Sequence, residues 1–121
     1  MIKFDVSIVI VCMNNLNNLY PCLESIRKYT SVSYEAFVVA YLFSKENLLK
    51  VKLDFPWVTF IESNEIRGFS ENNNLALKQA KGKYCFVLND DTYMDRYRQI
   101  VSNNRGVAER CCLYKSQKPI S

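Results

Sequence analysis

The chain has 121 residues, 49% of them hydrophobic, and a formal net charge of +4. This length and composition predict one soluble globular domain. The chain has no histidine, which excludes histidine-based nucleophilic catalysis. Five cysteines without a C-x-x-C pair argue against a zinc site and a disulfide framework. Any metal would then have oxygen ligands. The apolar runs are too short to cross a bilayer, and the N-terminus lacks a signal pattern, so we expect a cytoplasmic protein.

Four apolar segments alternate with three segments of helical periodicity. The first apolar segment, DVSIVIVC, is rich in β-branched residues and favours a strand covered on both faces. The predicted strands cover residues 5–12, 34–41, 57–61 and 83–88, and the predicted helices cover 19–29, 45–52 and about 70–81. This order predicts an α/β fold, with a mostly parallel sheet and helices on both of its faces.

The alternating pattern ends after Asp95. Residues 96–121 carry six basic residues and one acidic residue. We therefore predict an α/β domain over residues 1–95 and a basic tail of unassigned structure over 96–121. A solvated tail is favoured over contact with anionic lipid, and nucleic acid is not expected as a partner.

An acidic turn, Asn89-Asp90-Asp91, follows the fourth predicted strand directly. Ligands of open α/β sheets bind at the carboxyl ends of the strands. Four loops are predicted to share that edge, over residues 12–14, 41–44, 64–69 and 89–91. Two carboxylates there can hold a divalent cation, which can bridge to phosphate oxygens. The alternative is a solvated turn, because Asn and Asp are common in turns whatever their role.

Four motifs resemble family 2 glycosyltransferases in order and spacing, over roughly residues 4–95. They are VSIVIVCMNN, YEAFVVA, VTFIESNEIRGFSENNNLAL and GKYCFVLNDDT. The resemblance implies a GT-A type fold, or its Rossmann-like half, and a nucleotide-diphosphate sugar as donor. It also implies transfer with inversion to a hydroxyl of a glycan or lipid-linked acceptor, with Mn²⁺ or Mg²⁺ as cofactor. A homodimer and peripheral membrane contact are left open.

The resemblance also assigns roles by position. Asp91 stands where the D-x-D-type motif has its main metal ligand, and Asp90 or Asn89 would assist with the metal or the ribose. The candidate nucleotide-sugar-binding residues are Cys12, Met13, Asn14, Arg67, Gly68, Asn73, Asn74, Asn89 and Asp90. Arg67 can pair with phosphate, and Gly68 lets the backbone approach a ligand. Simpler alternatives are a surface charge for Arg67, a turn glycine for Gly68 and partly core positions for Cys12 and Met13.

The chain departs from the family pattern in two respects. Ala40 stands where the family has an aspartate that contacts the nucleotide, and Tyr41 follows it. The acceptor half and the catalytic base follow the D-x-D motif in the family, but this sequence has only a short stretch after Asp91. We therefore expect a truncated or frame-shifted chain that is weakly active or inactive, and we nominate no base.

Three other classes of protein compete with the transferase interpretation. A non-catalytic α/β interaction module that dimerises is the main alternative. A response-regulator-type phosphoacceptor domain is disfavoured, because no acidic pair follows the first strand. A dinucleotide-binding domain is disfavoured too, because the sequence has no G-x-G-x-x-G motif.

Overall fold

A computed structural model of the chain describes residues 4–90, 92–94, 100–102 and 112–115. Its elements in chain order are β1 (Phe4–Cys12), α1 (Leu16–Tyr29), β2 (Tyr34–Tyr41), α2 (Lys45–Asp54), β3 (Thr59–Ser63), α3 (Phe69–Leu77), β4 (Gly82–Asn89), β5 (Thr92–Met94), β6 (Ile100–Ser102) and β7 (Cys112–Lys115). No helix in these ranges has the length and apolar character needed to cross a membrane.

One sheet of five strands organises the fold, in the order β3-β2-β1-β4-β7. The strands β1 to β4 are mutually parallel, whereas β7 runs antiparallel to β4 at the edge. The predicted mostly parallel α/β fold is therefore confirmed. The short strands β5 and β6 form a separate antiparallel pair. The strands β6 and β7 lie beyond residue 95, where the sequence pattern predicts no element. The division of the chain into residues 1–95 and 96–121 stays a prediction.

The two faces of the sheet carry separate hydrophobic clusters. Alternate residues of β1, such as Ile8 and Ile10, pack with side chains of α1 and α2, among them Leu23 and Val51. The intervening residues of β1 and β2 pack with Ala76 and Leu77 of α3. Successive side chains of a strand point to opposite faces, so a strand that is apolar throughout is buried from both sides. Helices therefore cover both faces, as predicted.

Two helix ends differ by three or four residues from the predicted ends, for local reasons. The helix α1 begins at Leu16, three residues earlier than predicted, because the side chain of Asn15 accepts a hydrogen bond from the Asn18 N–H at 3.2 Å. The helix α3 ends at Leu77. Beyond it, the backbone tightens into i→i+3 hydrogen bonds, including one of 3.2 Å from the Ala80 N–H to the Leu77 carbonyl.

Candidate functional site

The carboxyl ends of the four parallel strands meet along one side of the sheet, called the carboxyl edge below. In the strand register, Cys12 lies opposite Ala40, Ala40 lies opposite Glu62, and Val11 lies opposite Asn89. The residues that follow these positions therefore emerge at the same edge. The structure brings the described parts of all four predicted loops together there, including Asp90.

Asp90 and Cys12 are in contact at this edge. Asp90 follows β4 and is half-buried, whereas Cys12 ends β1 and is fully buried. Burial raises the pKa of the Cys12 thiol to about 12, a hydrogen bond with the Asn15 backbone lowers it, and the charge and hydrogen bond of Asp90 raise it further. The thiol is thus protonated at neutral pH. Cys12 can act there as a hydrogen-bond donor, but not as a thiolate nucleophile or metal ligand.

The described residues do not form a complete metal site by themselves. Within the described ranges, no three Asp, Glu, Cys or His side chains form a group that could hold a metal ion. Asp91, predicted as the main ligand, lies outside the described residues. Mg²⁺ is usually bound through one or two carboxylates together with substrate phosphates. The Asp90 carboxylate fits a site of that kind, which a phosphate ligand would complete.

The loop after β1 is fixed to the start of α2 through Asn14. Its backbone is left-handed, with φ of 55°, a conformation that asparagine tolerates better than most residues. Its Oδ1 accepts hydrogen bonds from the Ser44 N–H at 3.1 Å and from Nδ2 of Asn47 at 2.9 Å. The neighbouring Met13 is 61% exposed. Met13 is therefore open to a ligand, whereas the Asn14 side chain is engaged with α2.

A buried polar group holds the side chain of Arg67 at the end of β3. The guanidinium Nη1 donates to Oγ of Ser63 at 2.9 Å, and this hydroxyl donates to Oδ1 of Asn72 at 2.7 Å. Ser63 is fully buried and Asn72 is 2% exposed. Neither residue was predicted as part of the site. The only sequence signal was a serine and an asparagine close to a predicted strand end, which is common in ordinary loops.

The backbone of the loop after β3 is held in the same region. The Arg67 N–H donates to the hydroxyl of Tyr41 at 3.1 Å, and Tyr41 is the last residue of β2. The Gly68 N–H donates to the Glu71 carboxylate at 3.1 Å, which caps α3. Gly68 is exposed and has an ordinary φ of −78°. Backbone conformation therefore does not require glycine at this position.

The paired asparagines of α3 differ in their environment. Asn73 is fully buried and donates from Nδ2 to the Phe69 carbonyl at 3.0 Å. Its Oδ1 has no hydrogen-bond partner among the described residues. Asn74 is half-buried. Asn73 thus belongs to the interior beneath the edge rather than to its open surface.

Arg67 and Asp90 stand far apart on the carboxyl edge. Arg67 is bound to the end of β3, whereas Asp90 follows β4, and β2 and β1 lie between these strands. Three strand spacings of about 4.8 Å put these two positions roughly 14 Å apart. The predicted site residues therefore form two groups, with Cys12 and Asp90 at one end of the edge and Arg67 and Gly68 at the other.

Comparison with protein families gives a match to one model, described as glycosyl transferase family 2, over residues 7–100. A search of curated protein sequences gives no match.

Solved structures share the fold at low sequence identity. A mannosyltransferase from Pyrobaculum calidifontis, PcManGT, solved with GDP-Man and Mn²⁺, is 20% identical with a TM-score of 0.67. S. aureus TarS residues 1–349, solved with UDP-GlcNAc, is 20% identical with a TM-score of 0.64. The matches cover 78% and 76% of this chain, but only 30% and 28% of those chains. The chain thus spans less than a third of the structures it resembles.

Proposed function

The chain belongs to glycosyl transferase family 2, and we propose that it binds the nucleotide-diphosphate sugar donor along its carboxyl edge. One observation carries this proposal: the acidic turn after β4 brings Asp90 against the end of β1, on the same edge as the Asn14 and Gly68 loops. A donor site requires its acidic turn at this edge, where ligands of open α/β sheets bind. The similar structures solved with GDP-Man and UDP-GlcNAc lend support to a donor of this class.

The reaction we propose is transfer of the sugar to an acceptor hydroxyl with inversion. The acceptor oxygen forms a bond to the anomeric carbon as the bond from that carbon to the diphosphate breaks. A base takes the proton of the hydroxyl, and we assign no described residue to that role. A divalent cation, Mn²⁺ or Mg²⁺, would supply positive charge to the departing diphosphate.

Different residues along the carboxyl edge would contact different parts of the donor. Asp90 offers a carboxylate to the cation, and the protonated Cys12 thiol lies beside that carboxylate without competing for the metal. Met13 offers an exposed apolar surface to the nucleoside. Asn14 keeps the loop that carries Met13 in one conformation through its bonds to α2.

Calorimetric titration of the chain with UDP-, GDP- and dTDP-linked sugars in Mn²⁺ tests the proposal. Binding is the proper readout, because the residues assigned here concern the donor. Replacing a carboxylate that serves the metal should weaken Mn²⁺-dependent affinity by about 10- to 100-fold, the range seen for residues that support metal sites. The variants Asp90→Asn and Asp91→Asn should both have this effect.

The matched control is Asp5→Asn, the same change at an exposed residue near the opposite end of β1. It should leave the affinity unchanged. Wild-type chain that binds none of the three sugar nucleotides would refute the proposal. Equal affinities for Asp90→Asn, Asp91→Asn and wild type would refute the assignment of the acidic turn.

A further inference from the structure

The helix α2 presents two leucines to solvent. Leu49 is 65% exposed and Leu53 is 80% exposed, whereas Val51 between them is fully buried. Successive residues of an α-helix lie about 100° apart around its axis, so each leucine lies about 200° from Val51. Because Val51 packs into the hydrophobic core, the two leucines form a strip along the outward side of the helix, called the leucine strip below.

Three lysines border the leucine strip. Lys45, Lys50 and Lys52 are all exposed. The same helical geometry places Lys45 and Lys52 along one flank of the strip and Lys50 along the other. A lysine can lay its aliphatic stem along an apolar surface and keep its ammonium group in a polar layer. The outward side of α2 therefore combines an apolar centre with positive charge on both sides, as in helices that lie on anionic membranes.

The acidic groups of α2 leave this positive charge in excess. The carboxylate of Asp54 accepts a hydrogen bond from the Tyr20 hydroxyl and lies 3.7 Å from Nζ of Lys50. Its charge is thus engaged on the side of the helix that faces α1. Glu46 is the other carboxylate, so three lysines and two acids give α2 a net charge of +1. The chain as a whole carries +4, which also attracts it to an anionic surface.

An open groove beside α2 extends this surface towards α1. The two helices lie on the same face of the sheet. The groove has a volume of about 430 Å³ and is lined by Leu16, Asn17, Tyr20, Pro21 and Lys50. One of the lysines that flank the leucine strip therefore also lines a depression that can receive a polar headgroup.

The size and charge of this surface favour a membrane over a protein partner. A stable protein interface buries about 1,200 Å² or more, and two leucines supply only a small part of that area. A second copy of the chain, related by a two-fold axis, would bring the same surface against itself and so set lysines against lysines. A bilayer needs no complementary shape, and its anionic headgroups attract the lysines.

We propose that the leucine strip and its flanking lysines bind the surface of an anionic lipid bilayer. The leucines enter the boundary between headgroups and acyl chains, and the lysines pair with headgroup phosphates. The start of α2 is bonded to Asn14, so a bilayer bound there lies beside the carboxyl edge. The inference does not depend on the proposed function, because the leucine strip lies on the outward side of α2 and the donor is assigned to the edge.

Sedimentation of the full chain with lipid vesicles tests the proposal. Wild-type chain should sediment with vesicles of mixed phosphatidylcholine and phosphatidylglycerol, but not with phosphatidylcholine alone. Leu49→Gln combined with Leu53→Gln should weaken this binding about tenfold or more, and glutamine retains the helix propensity of leucine. Lys45→Gln combined with Lys52→Gln should weaken it about 10- to 30-fold, since each lysine near an anionic surface contributes a factor of about five.

The matched controls remove the same kinds of group elsewhere on the chain. Lys78→Gln combined with Lys81→Gln removes two exposed lysines beyond the end of α3, which covers the opposite face of the sheet. Val32→Gln combined with Ile66→Gln removes two apolar side chains that are 45% and 88% exposed. Both controls should bind the anionic vesicles as the wild type does. If the leucine variant has a lower urea midpoint than the wild type, the lysine variant decides the question.

The outcomes separate this inference from the proposed function. Wild-type chain that does not sediment with anionic vesicles would overturn the inference. Equal sedimentation of the leucine variant and the wild type would do the same, and would assign the binding to another part of the chain, such as the basic residues 96–121. Self-association that the leucine variant abolishes, without vesicle binding, would make a second copy the partner. Wild-type chain that binds vesicles but no sugar nucleotide would overturn the proposed function alone.

Discussion

Replacement of Gly82 by alanine should destabilise the fold more than any other glycine substitution in the chain's described part. Gly82 begins β4 and is buried where β4 runs beside β1. A Cβ atom at this position would lie 2.6 Å from both the backbone nitrogen and Oγ of Ser7, and 2.7 Å from the carbonyl carbon of Val6. The Ser7 side chain can rotate away, but the backbone atoms cannot move without shifting a central strand.

The size of the effect follows from three contributions. Overpacking of this kind costs about 1–3 kcal/mol. The shift would also strain the hydrogen bond of 2.8 Å from the Gly82 N–H to Oγ of Ser7, which contributes about 0.5–1.5 kcal/mol. Against these, replacing glycine stabilises by about 0.4–1 kcal/mol through the unfolded chain. The free energy of unfolding should therefore fall by about 2 kcal/mol, a large share of the roughly 5–15 kcal/mol typical of a domain.

Urea unfolding followed by circular dichroism measures this loss. With a slope of about 2 kcal/mol/M, the midpoint should fall by roughly 1 M. Gly68→Ala is the matched control, because its Cβ would meet only Oε1 of Glu71, at an ordinary 3.6 Å. Its midpoint should move much less. Equal midpoint shifts in the two variants would refute the close approach of β1 and β4 at Gly82.

Three further predictions concern the carboxyl edge and the cysteines. Asn14→Ala should lower the free energy of unfolding by about 1–2 kcal/mol in urea, because it removes the acceptor for two hydrogen bonds from α2; Asn14→Asp, which keeps the acceptor, should lose less. Since burial raises the pKa of Cys12 from 9.0 to about 12, its contribution to stability is complete below pH 9 and is lost as the pH rises towards 12. The urea midpoint should thus fall from pH 8 to pH 10, less steeply in Cys12→Ala. Iodoacetamide at pH 8 should leave the buried free cysteines Cys12, Cys22 and Cys85 unmodified in the native chain; mass spectrometry that finds native labelling as fast as in urea would contradict this.

The sequence predicted the fold well because its signals were strong and local. Both faces of β1 are apolar, so the sequence predicts a strand that is covered on both faces. The structure places β1 between β2 and β4, in the interior of the sheet. The parallel order followed from helices between the strands. The edge strand β7 was not predicted, since four residues in a basic segment carry no periodicity that separates a strand from a loop.

The arrangement around the acidic turn was also foreseen in outline, because parallel strands must end at a common edge. Asp90 reached that edge as expected. Its contact with Cys12 was not foreseen, because it depends on which residues of β1 and β4 pair in register. A change of one residue in that register would turn the thiol to the other face of the sheet.

The buried hydrogen bonds that hold the Arg67 side chain could not be predicted from the sequence. The third strand was predicted over residues 57–61 and lies at Thr59–Ser63. A shift by two residues keeps every side chain on its own face, so the predicted core was unaffected. It moves the end of the strand by about 6.6 Å, however, and so turns Ser63 from a loop residue into the last residue of the edge strand β3, where it is buried. Only there can its hydroxyl join Asn72, nine residues later, to the guanidinium of Arg67. Such a group depends on the relative positions of three elements. Hydrophobic periodicity does not locate the end of a strand to within two residues.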